Sequence, residues 1–223
     1  MATSNSLLAM VNGVHSSRMW QTALALTAWS IGSCVTAEFL GYWLHRLLHS
    51  GWIAFLSRSH MKHHMILYGP LQKQRSPQYH DATNDSLSLG NIGLEWLVPA
   101  ALLIGVTLTV LHYLRVRLVY EFVFLGVTLA WSVLMFSYLH DVMHVEDVWL
   151  EKNKWLRRWF AAARRLHDIH HHVINDEGLM DANFGIGFFF FDRLFGTFAG
   201  RGARFNHRGY EAARRRIQSM LNR

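Results

Sequence analysis

A single cysteine, Cys34, stands in 223 residues, and it lies inside an apolar run. That excludes a disulfide within the chain, a cysteine zinc knuckle and an iron–sulfur cluster. No glycine-rich phosphate-binding motif occurs, so flavin and nicotinamide are not expected to be carried here. Acidic residues are scarce, 15 against 22 Lys and Arg, and the net charge is +7. The opening MATSNSLLAMVNGVHSSR lacks the early positive charge of a secretory signal, and Asn12 and Gly13 break its apolar stretch.

Apolar side chains are abundant. The chain is 51% hydrophobic, with nine Trp and fourteen Phe. A soluble basic domain seldom combines these features, whereas a membrane protein needs apolar surfaces toward lipid and charged flanking loops. About 20 mostly apolar residues cross the hydrocarbon core as a helix. Three stretches qualify: Met19 to Leu44, with Glu38 as its one charge, Ile92 to Leu114, and Leu118 to Leu139. The last two form a hairpin. FGIGFFFF, Phe184 to Phe191, is too short to cross and is expected at the interface. Of the Lys and Arg residues, only Arg18, Arg115 and Arg117 fall on one side of this arrangement. The positive-inside rule then places the N-terminus outside and the C-terminus in the cytoplasm. The net charge is accounted for by topology and contact with anionic lipid, not by nucleic acid. The expected architecture is an all-α integral membrane protein of about three spans, with interfacial helices and a cytoplasmic histidine-rich cap. The chain is long enough for one domain, 1–223.

Ten of the fifteen histidines fall into four clusters. They are HRLLH (His45, His49), HMKHH (His60, His63, His64), HDVMH (His140, His144) and HDIHH (His167, His170, His171). Spacings of three and four residues place side chains one helical turn apart on one face, so paired imidazoles can reach one ion. Each half of the chain reads span, H-x3-H, then H-x2-H-H, which suggests a site assembled between two halves. Ten histidines exceed any single site, so two ions are expected. Ligand type does not choose between Zn, Fe, Cu and Ni. A zinc protease of the H-E-x-x-H kind would need Glu where Arg46 and Asp141 stand. Haem wants single axial ligands from facing helices, not pairs at helix ends. A pair of redox metals at the lipid surface, iron foremost, fits best. A non-catalytic metal-binding membrane protein and a zinc-dependent lipid hydrolase are the alternatives.

The order of these boxes, followed by NFG and by FFDRLFGTF (Phe190 to Phe198), resembles the fatty acid hydroxylase / sterol desaturase superfamily over residues 42–198. The resemblance implies a membrane di-iron oxidoreductase that hydroxylates or desaturates a fatty acyl, sterol or carotenoid substrate with O2. It implies that the ten clustered histidines are the metal ligands, for two iron ions, with zinc as a substitute after purification. Only one span precedes the first box, where many members have two. There is no attached cytochrome b5-like domain, so a separate electron donor is expected, a reductase with a ferredoxin or cytochrome b5-like carrier.

Other residues carry weaker signals. His172 reads as a neighbour of the site, and His80 as surface. His15, His112 and His207 read as ordinary interfacial or terminal residues. Glu38 shares the face of His45 two turns deeper and reads as a hydrogen-bonding group more than a proton donor. Asp141 and Asp168 could orient a histidine on another helix. Asp192 and Arg193 read as an ion pair. Trp155, Trp159 and Leu166 mark an interfacial amphipathic helix, and Tyr210, Ala213, Ile217 and Leu221 a basic surface helix.

Topology is tested in a Cys34→Ser background carrying Ser4→Cys, Gln72→Cys or Ser219→Cys. In sealed cells an impermeant thiol reagent should label Ser4→Cys alone; labelling of Gln72→Cys would place the first two boxes on the wrong face.

Overall fold

The computed structural model of the chain describes residues 2–70, 94–202 and 204–222. Among them there is no strand, only an isolated bridge between Ile174 and Met180. Helix α1 (Ala2–Ser50) ends at Gly51, whose φ of +69° supplies the left-handed turn that lets the chain fold back. Helix α2 (Ala54–Lys62) follows and widens into a π-helical turn, His63–Leu67. Helix α3 (Leu94–Tyr113) and helix α4 (Leu118–Ser132) form the expected hairpin, with Arg115 at φ +57° in the connection. Helix α4 runs on through a π-helical stretch, Val133–Leu139, to a last turn, His140–Val142. The cap adds α5 (Trp149–Lys152), α6 (Arg157–His172), α7 (Phe190–Leu194) and α8 (His207–Leu221).

Two helices are long and apolar enough to cross a membrane, Arg18–Ser50 and Leu118–Val142. The stretch expected as a further span is helix α3, whose described apolar part is the shorter Val98–Tyr113. Much of this surface is exposed and apolar: Trp20, Leu24 and Ile31 on α1, Val98, Leu102 and Val106 on α3, Phe122 and Val133 on α4 and its extension. Such a surface calls for lipid, not water.

Helices α1 and α4 run parallel. Trp29 stacks on Tyr120 at 5.5 Å, Trp131 Nε1 donates to Glu38 Oε1 at 2.8 Å, and the Phe136 ring lies over Gly41. Contacts advance in the same direction along both helices, so His45 and His49 emerge at the same end as His140. Gly41 permits the approach: a Cβ there would lie 1.9 Å from Phe136 Cζ. The chain turns so that α6 lies under this end. Its buried Phe160, Ala163, Leu166 and Ile169 share a core with Met135, Leu139, Met143, Leu150, Ile186 and Phe189. This corrects the interfacial helix expected from the sequence. The apolar face of α6 is taken up by protein, and only Trp155 and Leu156 before its start are exposed. The segment 184–191 is likewise divided, with Phe184, Ile186, Phe189 and Phe191 buried and Phe188 and Phe190 exposed. Buried Arg164 fastens α6 to the end of the α4 rod. It donates to the carbonyls of Val142 at 2.9 Å and Val145 at 2.7 Å and pairs with Glu151. Helix α8 packs as its pattern foretold, Ala213 and Ile217 meeting Met61, Met65, Ile174 and Met180.

Gly41→Ala should destabilise the protein by about 1–3 kcal/mol, the usual cost of overpacking. Thermal unfolding in detergent measures it, and adding Phe136→Ala should recover part of the loss; no recovery would place the strain elsewhere.

Candidate metal centre

The histidines gather where the two spans end. One group comprises His45, His49, His60, His64 and His170, and a second comprises His63, His144, His167 and His171; within each, one nitrogen from every ring lies within 4.8 Å of the others. All but His63 are buried. The groups abut: the rings of His64 and His171 stack at 3.9 Å. Helix spacing explains the partition. In each H-x2-H-H box the first and last histidines, four residues apart, share a face and stay together. The middle one points away and joins the other group. His170 thereby completes the first-half set, and His63 completes the second-half set. A pseudo-twofold relation follows, pairing His49 with His144, His60 with His167, His63 with His170 and His64 with His171. It pairs His45 with His140, which is the one predicted residue in neither group. The His140 ring lies 4.7 Å from that of His63 and 4.8 Å from that of His167, and its Nε2 is buried with no partner among the described residues. His63 begins one π-helical turn and His140 follows another, and such turns occur frequently at functional sites.

Backbone carbonyls fix the rings. His45 Nδ1 donates to Phe184 O at 2.7 Å, His170 Nδ1 to Ala182 O at 2.6 Å, and His171 Nδ1 to Tyr68 O at 2.9 Å. A carbonyl can only accept, so each of these rings holds its proton on Nδ1 and a lone pair on Nε2. Within each group the Nε2 atoms converge. His49 Nε2 lies 3.3 Å from His45 Nε2, 3.0 Å from His170 Nε2 and 2.9 Å from His60 Nε2. In the second group His144 Nε2 lies 3.1 Å from His63 Nε2 and 3.0 Å from His167 Nε2. Protons could satisfy only some of these contacts. A cation at each focus satisfies them together, and the all-imidazole donor set suits a transition metal. Burial, with neighbouring imidazoles adding to it, holds His60, His63, His64, His167 and His171 well below the usual imidazole range. That favours the neutral form, which binding to a metal requires.

The loop that supplies two of the carbonyls is itself tied down. Asn183, in a left-handed conformation at φ +56°, donates to Leu166 O and Ala199 O and accepts from Ala199 N. Asp192 accepts from Phe184 N at 2.6 Å, Gly185 N at 2.8 Å and Thr197 Oγ1 at 2.8 Å. Asp192 is therefore a loop clamp and not the partner of Arg193, whose guanidinium lies over Phe198. A model of the fatty acid hydroxylase family matches residues 31–197, which takes in all four boxes and this loop. The chain belongs to that family. This hydroxylase-family protein is thus a member of the fatty acid hydroxylase / sterol desaturase superfamily. No curated protein and no solved structure matches it.

Sequence reasoning missed the carbonyls of Tyr68, Ala182 and Phe184, because a backbone acceptor has no residue type to read. The remaining residues are placed as follows. His172 is half-buried against Phe205 at 5.5 Å, outside both groups. His112 lies 3.5 Å from Glu121 at the far hairpin end, and His207 is exposed at the start of α8. Glu38 is buried between α1 and α4 on Trp131. His80 and the side chain of His15 lie outside the described residues.

Adding Fe2+ or Zn2+ to metal-free protein should give two binding events and raise the unfolding temperature. His49→Ala and His144→Ala should each abolish one event; loss of both events in both variants would show a single cooperative centre.

Proposed function

We propose that this hydroxylase-family protein is a three-span, O2-dependent di-iron enzyme that hydroxylates or desaturates a lipid, with its histidines and C-terminus on the cytoplasmic side. The observation that carries this reading is the pair of abutting histidine groups with their Nε2 atoms converging. His45, His49, His60, His64 and His170 would hold one ion. His63, His144, His167 and His171 would hold the other, with His140 beside them. Two iron ions there would supply electrons to O2 and the oxidising power to attack an unactivated C–H bond.

The chain's own contributions are geometric. Carbonyls of Tyr68, Ala182 and Phe184 set ring orientation, and orientation of this kind affects both affinity and electronics. Burial keeps water from the reacting carbon. The ring of Phe184 packs against those of His45, His49 and His170 at 5.5–5.8 Å and gives the substrate an apolar wall. The site lies at the ends of two apolar helices, where a lipid presents itself. Hydroxylation balances as R–H + O2 + 2e− + 2H+ → R–OH + H2O. The electrons would arrive from a carrier outside residues 1–223, in which no flavin, nicotinamide or iron–sulfur motif occurs. Hydrolysis fits less well, because neither group contains a carboxylate to act as base.

Metal analysis of purified protein joined to lipidomics of a deletion strain and its complement tests the reading. Iron with a lipid gain of one oxygen or loss of two hydrogens is expected; zinc with ester or amide cleavage would overturn it. His49→Ala or His170→Ala should abolish turnover while the protein still inserts, and full activity with unchanged metal content in either variant would remove these residues from the site.

A further inference from the structure

Arg46 stands beside His45 near the end of the first span, and nothing in the proposed chemistry uses it. Its guanidinium is held by three aromatic faces, 5.0 Å from the Trp43 ring, 5.7 Å from Phe184 and 5.8 Å from Tyr42. Among the described residues its one hydrogen bond is a long contact of 3.4 Å from Nη1 to Tyr42 Oη. Among the described residues no carboxylate pairs with it. A guanidinium offers five N–H donors in a planar fork. Arg46 is thus half-buried, positioned by cation–π contacts and largely unspent as a donor. Arg164 shows what this chain does with a structural arginine: carbonyls and Glu151 occupy it.

The location gives Arg46 a ligand. It lies near the end of an apolar helix long enough to cross a membrane, the place where lipid headgroups would stand. Phe184 connects it to the histidines, since the same ring lies 5.7 Å from the guanidinium, 5.7 Å from His45 and 5.5 Å from His170. An anion on Arg46 would sit across one phenyl ring from the first histidine group. A fork of this shape pairs bidentately with carboxylate or phosphate.

We infer that Arg46 binds the anionic head, carboxylate or phosphate, of the lipid substrate. This rests on the lipid-oxidising reading above and narrows it: the substrate carries a negative head, and the carbons next to that head are the ones brought to the histidines. The aromatic cage restricts the fork before binding, which lowers the entropy cost of capturing the head.

The test is binding of labelled palmitate and labelled 1-hexadecanol to the full-length protein in uncharged, phosphate-free detergent. Wild type should favour palmitate by about tenfold or more, the loss expected when one charge-assisted pair is removed. R46Q should bring the ratio close to one. R46K keeps the charge without the fork, should retain part of the preference, and covers a folding loss in R46Q. R158Q, on an exposed arginine of α6, should keep the wild-type ratio. An unchanged ratio in R46Q overturns the inference. So does displacement of palmitate by dioleoylphosphatidate when neither lipid is oxidised and other lipids are, since the site would then serve bulk phospholipid. Binding is read without turnover, so a wild type that oxidises no lipid yet loses its palmitate preference in R46Q would strike the oxidase reading and leave the anion site standing.

Discussion

Everything in the cap answers to one electrostatic constraint: lone pairs of neutral imidazoles aimed at common points inside protein. Such an arrangement is unfavourable by itself. The Nε2 atoms are largely withdrawn from water and lie about 3 Å apart, too many for shared protons to satisfy them all. Buried polar groups cost roughly 1–3 kcal/mol each when unpaired. The cluster therefore demands two things of the remaining chain: a framework rigid enough to hold the rings together, and a positive charge to repay the arrangement. The π-helical turns, the Arg164 fastening and the clamped 183–198 loop provide the framework. A metal ion held at each focus would provide the charge.

Support is asymmetric in a way that the repeated boxes conceal. The loop between residues 182 and 184 reaches two rings of the first group, through Phe184 to His45 and through Ala182 to His170. In the second group His171 is oriented by Tyr68, from the other half of the chain. The counterpart of His45 is His140, for which no such carbonyl stands among the described residues; its Nε2 is buried and has no partner among them, while its ring stands between those of His63 and His167. The two foci are therefore not equivalent environments.

Much of this was legible in the sequence, and the reasons are physical. Long apolar runs announce helices, and spacings of three and four announce shared faces, so the boxes and the helical architecture could be read directly. The destination of each middle histidine could not. His63 and His170 sit on the flank of their helices, and only tertiary packing decides which group lies opposite. The role of α6 was misread for a related reason: an amphipathic face states that something apolar covers it, not whether lipid or protein does. The pairing of α1 with α4 was hidden too, because Gly41 announces itself only by what it lacks.

The crossing of His63 and His170 also has a consequence in biosynthetic time. A chain emerging from the ribosome delivers His45, His49, His60 and His64 early, but the fifth member of their group follows more than a hundred residues later. The second group waits in the opposite sense, with His63 made long before its companions. Neither cluster can close on the first half of the polypeptide alone. Both groups take members from α6, so a chain made only as far as the first half holds neither histidine group complete.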